Sequence, residues 1–425
     1  MKIQVFVRQT REILVSNSGF QYYFYRVTFI LTLISLMLLL DALWWIAAAR
    51  IAKKPVLRNI TAIFMGAQMA GFSLIIAGRM SRLDVDRWMP KFALSAVFIW
   101  HFLGLGILLV LFAVILPVML FVRLARMMRR KTCDTTAPEK TDDSITRRDF
   151  LGVATAVLPP LITLGATGIA MRQLANFRTR RFVLPIPQLP RDLDGLTIAH
   201  VSDIHVGRFT SGRVLREMVD RVNSLRADLV LLTGDLINDA LADLPEGLDL
   251  VRKMEGRSGV CMIEGNHDLI ENPEEFERRA QASGIPFLLN ESAIQTIHGF
   301  PVQLLGLPWL RRGSRKGHDQ GISDSVRDLL HQRREDAFAI LMAHHPHAFD
   351  AAADAGVPLV LSGHTHGGQL MLNEQCGFGP AMFRYWSGLY QKENSRMIVS
   401  NGIGNWYPIR VNSPAELVHI TLRRA

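Results

Sequence analysis

Leu229-Val230-Leu231-Leu232-Thr233-Gly234-Asp235 is a short apolar run closed by a glycine and a carboxylate. Its apolar residues do not alternate with polar ones, so they predict a strand covered on both faces, as in a parallel sheet flanked by helices. Gly234 permits a sharp turn. Asp235 is then left at the carboxyl end of the strand, where open α/β sheets hold their ligands.

Outward from this stretch the same grammar repeats. Leu196–Val201, Val260–Ile263, Phe338–Met342 and Leu359–Leu361 are further short apolar strands. Helical spacing of apolar residues marks Val214–Leu225, and helical stretches are also expected at Glu274–Ala282 and Ala348–Ala355. Alternating strands and helices imply a layered α/β domain over residues 182–425. Leu288–Leu305 and Met397–Leu422 read as consecutive strands joined by turns, so the sheet layers are expected to be mixed.

Five polar clusters each follow an apolar strand: Asp203-Ile204-His205, Gly234-Asp235, Gly265-Asn266-His267-Asp268, His344-His345 and Gly363-His364-Thr365-His366-Gly367-Gly368. A carboxylate and a histidine two residues apart can point the same way from an extended turn and offer one cation a hard and a borderline ligand. Any one cluster reads equally as a polar loop. Five of them at strand ends within one domain point to a metal centre.

The ordered set D-x-H, G-D, G-N-H-D, H, G-H-x-H resembles the calcineurin-like metallophosphoesterases over roughly residues 190–425. The resemblance implies a β-sandwich of mixed sheets flanked by helices. It implies that Asp203, His205 and His366 hold one divalent ion, that Asn266, His344 and His364 hold a second, and that Asp235 bridges them. His345 is an alternative to His344. His267 is the implied general acid, with Asp268 orienting and charging its imidazole. Two ions about 3.5–4 Å apart clamp a phosphate and turn water into a metal-activated hydroxide near neutral pH. Their charge outweighs the two carboxylates and one hydroxide, so an anionic ester is attracted. The mixed N/O ligand set suits Mn, Fe or Zn. Ser/Thr protein phosphatases of this superfamily carry an arginine shortly after the Gly-Asp block. Leu236-Ile237-Asn238-Asp239 stands there instead, which counts against that activity. Gly402-Ile403-Gly404, Pro408-Ile409-Arg410 and Ser413–Leu417 resemble the membrane-anchored or exported bacterial branch, with Arg410 open to either a phosphate contact or a structural salt bridge.

The first part of the chain is of another kind. Residues 1–181 carry 24 Lys and Arg against 9 Asp and Glu, whereas residues 182–425 carry 24 against 29. The basic excess therefore accompanies long apolar runs, as at the cytoplasmic flanks of membrane helices. No basic stripe with interleaved aromatics marks a nucleic-acid surface. Residues 1–131 are expected to hold about three transmembrane helices, near Val27–Ile46, Ile60–Ala77 and Phe92–Val122. Residues 132–181 read as a polar linker, a fourth apolar run interrupted by Pro159-Pro160, and between them Thr146-Arg147-Arg148-Asp149-Phe150-Leu151, which resembles a twin-arginine export signal as much as a basic flank. Asp41 and His101 lie within the spans and read as structural, Asp41 reaching headgroups beside Trp44-Trp45. Cys133, Cys261 and Cys376 form no framework.

Arg50–Arg58 and Arg123–Lys131 on the cytoplasmic side give an out-in-out-in-out order and a periplasmic or extracellular residues 182–425. The net +3 of the first 26 residues argues for the reverse. The expectation is a membrane-anchored dinuclear phosphoesterase in a bacterial cell membrane, acting on a phosphodiester or related ester of lipid or envelope origin. One rival is a cytoplasmic-face enzyme similar to the UDP-diacylglucosamine pyrophosphohydrolases. Another is a non-catalytic membrane receptor or scaffold, which the complete ligand set and the His267–Asp268 pair disfavour.

Overall fold

The computed structural model describes residues 28, 31–81, 85–129, 147–174, 176–310, 318–369, 371–373, 376–377, 379–410 and 412–425. They form two compact units, Met1–Thr167 and Gly168–Ala425.

The first unit holds α1 (Leu31–Ile51), α2 (Pro55–Met80), α3 (Lys91–Phe98) and α4 (Leu105–Arg129), with a π-helical turn, Ile99–Gly104, joining the last two. Most of α5 (Arg147–Leu174) also belongs to it. Among the described residues, four segments are long and apolar enough to cross a membrane: Leu31–Ile51, Pro55–Gly78, Lys91–Val110 and Gly152–Leu174. Helix α5 runs unbroken through Pro159-Pro160, where the sequence suggests an interruption. Proline removes a donor but fixes φ near the helical value, so the pair weakens the ladder without reversing the chain. The expected linker, Thr132–Ile145, lies outside the described residues. Arg147–Leu151 form the first turns of α5, where Asp149 pairs with Lys53 at 3.1 Å.

Asp41 does not reach outward. It is fully buried, accepting from Trp100 Nε1 at 2.8 Å and meeting His101 Nε2 at 2.9 Å. His101 Nδ1 faces the Val97 carbonyl at 2.8 Å, and Phe72 stacks on the ring. The two intramembrane polar residues that looked independent in sequence are partners.

In the second unit, the strands are β1 (Phe177–Ile186), β2 (Thr197–Val201), β3 (Leu229–Thr233), β4 (Val260–Ile263), β5 (Glu291–Ile297), β6 (Phe300–Leu307), β7 (Phe338–Ala343), β8 (Leu359–Ser362), a short hairpin β9 (Met371–Asn373) and β10 (Cys376–Gly377), β11 (Gly388–Lys392), β12 (Ser395–Val399) and β13 (Ala415–Arg424). Two sheets, ordered β1-β13-β2-β3-β4 and β11-β12-β8-β7-β6-β5, are both mixed. Met397–Leu422 is therefore not one meander. β12 pairs with β8 and β13 with β1 and β2, in different sheets.

The apolar run in β3 has a simple cause. Leu229 and Leu231 pack between the sheets with Ile340, Met342 and Leu361. Val230 and Leu232 pack outward against α6 (Arg213–Ser224), α7 (Leu244–Arg252) and α8 (Pro273–Gln281). Strand β7 divides likewise: Ile340 and Met342 face inward, Ala339, Leu341 and Ala343 face α9 (His318–Leu330) and α10 (Ala348–Asp354). Each residue buries a side chain whichever way it points, so no alternation is visible.

Candidate metal centre

β2, β3 and β4 run parallel, as do β7 and β8 in the other sheet, so each set delivers its carboxyl ends to one edge. The loops leaving β2 and β3 stay paired, Asp203 N–H donating to Gly234 O and His205 N–H to Asp235 O, both at 3.0 Å. Five ligand candidates have left-handed backbone: Asp203 (φ 54°), His205 (50°), Asp235 (55°), His364 (73°) and His366 (48°). Non-glycine residues rarely adopt it, and each costs roughly 1 kcal/mol or more. Two glycines allow the crowding. A Cβ on Gly234 would lie 2.7 Å from Glu264 O, and one on Gly363 would overlap Ser202 Oγ and Asp203 Oδ2.

Among the described residues, three groups of side chains bring one ligand atom each within 4.8 Å of one another: Asp203–His205–His366, His205–Asp235–His267 and Asp235–His344–His364. Asp235 Oδ2 is 3.1 Å from His344 Nε2 and 3.5 Å from His205 Nε2, and so touches both implied sets. His366 Nε2 lies 3.3 Å from Asp203 Oδ1 and 3.0 Å from His205 Nε2. His344 donates its Nδ1 proton to Thr233 O at 2.7 Å, which turns the Nε2 lone pair inward. Asn266 Oδ1 is buried without a hydrogen-bond partner. An orphaned acceptor beside two carboxylates suits a divalent cation. His345 is turned aside, its Nδ1 accepting from His347 N–H at 3.2 Å.

Electrostatics agree with a cation trap. Burial alone would raise both carboxylates, but His366 and His344 hold Asp203 far below its usual range, and His344 and His267 do the same for Asp235. Burial opposes charge on His344, yet Asp235 pushes it up to about 9. Burial holds His205, His364 and His366 low, so all three favour the neutral form.

His267 and Asp268 need a correction. The Asp268 carboxylate does not meet the His267 ring. It is buried and accepts Ile237 N–H at 3.0 Å and Gly265 N–H at 2.8 Å, bracing two site loops, and burial with Asp235 nearby raises it to about 7. His267 Nδ1 instead meets the Asn238 carbonyl at 2.6 Å, while its backbone N–H donates to Asp235 Oδ1. A tight turn carries the neighbouring side chains to opposite sides, which one-residue adjacency conceals. Among the described residues Arg410 makes no salt bridge. It is 1% exposed and its hydrogen bonds go to neutral acceptors, among them His366 Nδ1 at 2.8 Å. Aromatic rings line the centre, and sequence reasoning missed them: Trp309 beside His344 and His364, Phe383 beside His364, Trp406 beside His267. No motif spacing signals them.

The sequence model described as calcineurin-like phosphoesterase matches residues 196–368. A transmembrane protein with metallophosphoesterase domain from Danio rerio is 30% identical over 258 residues, covering 57% of this chain and 56% of that one. The uncharacterized metallophosphoesterase YkuE of Bacillus subtilis is 27% identical over 293 residues, covering 66% of this chain and 98% of its own. The match spans 63% of the counterpart from Bos taurus, so this chain covers under two thirds of both transmembrane relatives. A solved archaeal phosphodiesterase, 11% identical, covers 49% of this chain and 84% of its own with a TM-score of 0.27, too low to bear on function.

Proposed function

Because this chain carries a domain of the calcineurin-like phosphoesterase family, we propose that it is a membrane-anchored, dinuclear metal-dependent phosphoesterase hydrolysing a phosphodiester or related ester. The observation that carries this is the reach of Asp235 to both ligand sets, 3.5 Å to His205 and 3.1 Å to His344. Asp203, His205 and His366 hold one ion and Asn266, His344 and His364 the other, with Asp235 shared. The donors suit Mn, Fe or Zn. When bound, the ions supply Lewis acidity, neutralising phosphoryl oxygens and acidifying water. His267 is fixed by the Asn238 carbonyl, which leaves its Nε2 to deliver a proton to the leaving oxygen. Trp406, 37% exposed, covers one flank of that ring.

The aromatic walls favour an ester whose organic group is apolar, such as a lipid headgroup ester. If all four candidate spans cross, the positive-inside rule supports Arg50–Arg58 and Arg123–Lys131 on the cytoplasmic side and residues 182–425 on the other. We therefore assign the catalytic domain to the periplasm or cell exterior, with Arg147-Arg148 as part of an export signal. The aromatic mouth equally suits a cytoplasmic-face lipid pyrophosphatase. Purified chain with Mn²⁺ is expected to cleave a model diester or lipid phosphoester, and no turnover of any phosphoester would end the proposal. A compartment reporter fused after Ala425 is expected to act outside the cytoplasm; cytoplasmic activity selects the pyrophosphatase.

A further inference from the structure

We propose that Asn405 and Arg410 are positioning residues that tie the metal ligand Asp203, through the strap of residues 401–410, to the carboxyl end of helix α5. The proposal rests on the two-ion reading above for the role of Asp203.

The last carbonyls of a helix lack partners within it. At the end of α5, Asn405 Nδ2 donates to Leu174 O at 3.1 Å. The same amide accepts from Arg410 Nε through Oδ1 at 2.6 Å. Both ends of the Asn405 side chain are thus committed, and its backbone N–H is held by Thr210 Oγ1 at 2.8 Å. The arginine spends its other donors on Asn401 O, Ser413 O, Gly402 O, Gly404 O and His366 Nδ1. Asn405, Arg410 and His366 are all 3% exposed or less. A guanidinium buried without a hydrogen-bonded carboxylate is unfavourable unless every donor is used, and its position is then tightly fixed.

The strap that carries these two residues is selective. Ile403 N–H donates to Ser202 O and Gly404 N–H to Asp203 O, at 2.9 and 2.8 Å. It therefore grips Asp203, a proposed ligand of one ion. Among the described hydrogen bonds it makes none to Asn266, His344 or His364. Displacing the strap should disturb one ion and spare the other.

The test is calorimetric titration of the full chain in detergent with Mn²⁺. Wild type is expected to take up two ions. Asn405→Asp keeps the acceptor for Arg410 but loses the donor to Leu174, and Arg410→Lys loses the fork. Each is expected to weaken one binding step roughly 10–100-fold, the range for outer partners of metal ligands, and to leave the other unchanged. Two unchanged steps, or two steps weakened alike, would overturn the proposal. Wild type that binds no Mn²⁺ would instead remove the metal reading itself. Hydrogen exchange on wild type covers the case where the variants do not fold. Mn²⁺ is expected to slow exchange in residues 400–410 and in the last turn of α5 together, and an unaltered α5 end refutes the link.

Discussion

His267 and Asp268 are adjacent in sequence and separate in task. His267→Gln is expected to lower kcat about 10²–10⁴-fold while both ions stay bound, as for a lost general acid. Asp268→Asn is expected to act on the fold. An amide cannot accept two N–H groups as a carboxylate does, so roughly 1–3 kcal/mol of stability goes. Metal titration and denaturant unfolding of the two variants separate these outcomes; a stable but inactive Asp268→Asn enzyme would restore the residue to the chemistry. His200 gives a pH dependence away from the ligands. Buried in β2, its Nε2 hydrogen-bonded to Thr233 Oγ1, it is pushed down by burial to about 3, the Asp203 charge opposing. Its folded pKa is depressed, so the unfolded chain binds the proton first and stability is lost as pH falls below about 6.5. The loss amounts to about 1.4 kcal/mol per pH unit down to pH 3, and His200→Gln should flatten that slope in unfolding curves. An unchanged slope would place the titrating group elsewhere.

At the scale of elements, the strands bearing ligands were legible because each is a short apolar run ended by glycine or polar residues. β3, β4, β7 and β8 lie within a residue or so of the expected bounds. What could not be read was pairing. β1 lies beside β13, its partner more than two hundred residues away, and Arg178 and Arg180 reach Glu416 across that seam. Nothing local in Phe177–Ile186 specifies it. α7, LPEGLDLVR, carries proline and glycine in nine residues and gives no clear period. The ligand candidates come from the family resemblance of the ordered blocks, whereas the groups that meet His344, His267 and His366, namely Thr233 O, Asn238 O and Arg410, are backbone or distant. The same holds between α1 and the π-helical turn. His101 Nδ1 faces the Val97 carbonyl and Nε2 faces Asp41, so the ring is held on both sides. Asp41→Asn and His101→Gln are expected to be non-additive by about 0.5–3 kcal/mol in a double-mutant cycle of unfolding in micelles. Additive losses would mean that the two side chains do not cooperate.

For the whole molecule, charge and hydropathy separate a basic, apolar part from an acidic α/β part at about residue 182, whereas the compact units part at Thr167 and β1 begins at Phe177. Composition reports transfer preferences and so identifies spans, whereas the side of the membrane follows from loop charge, where the net +3 of the first 26 residues opposes the later basic clusters. A chain that gains two cations only when folded should lose them with the fold. Chelation is expected to lower its thermal midpoint and Mn²⁺ to restore it; a midpoint indifferent to both would mean that the ligands are held apart from any ion. Electron paramagnetic resonance of the full chain loaded with Mn²⁺ tests the shared centre most directly. Two ions joined through Asp235 should give an exchange-coupled spectrum at two Mn per chain, lost in Asp235→Asn together with turnover. An uncoupled, single-ion signal in wild type, or coupling that survives the substitution, would contradict it.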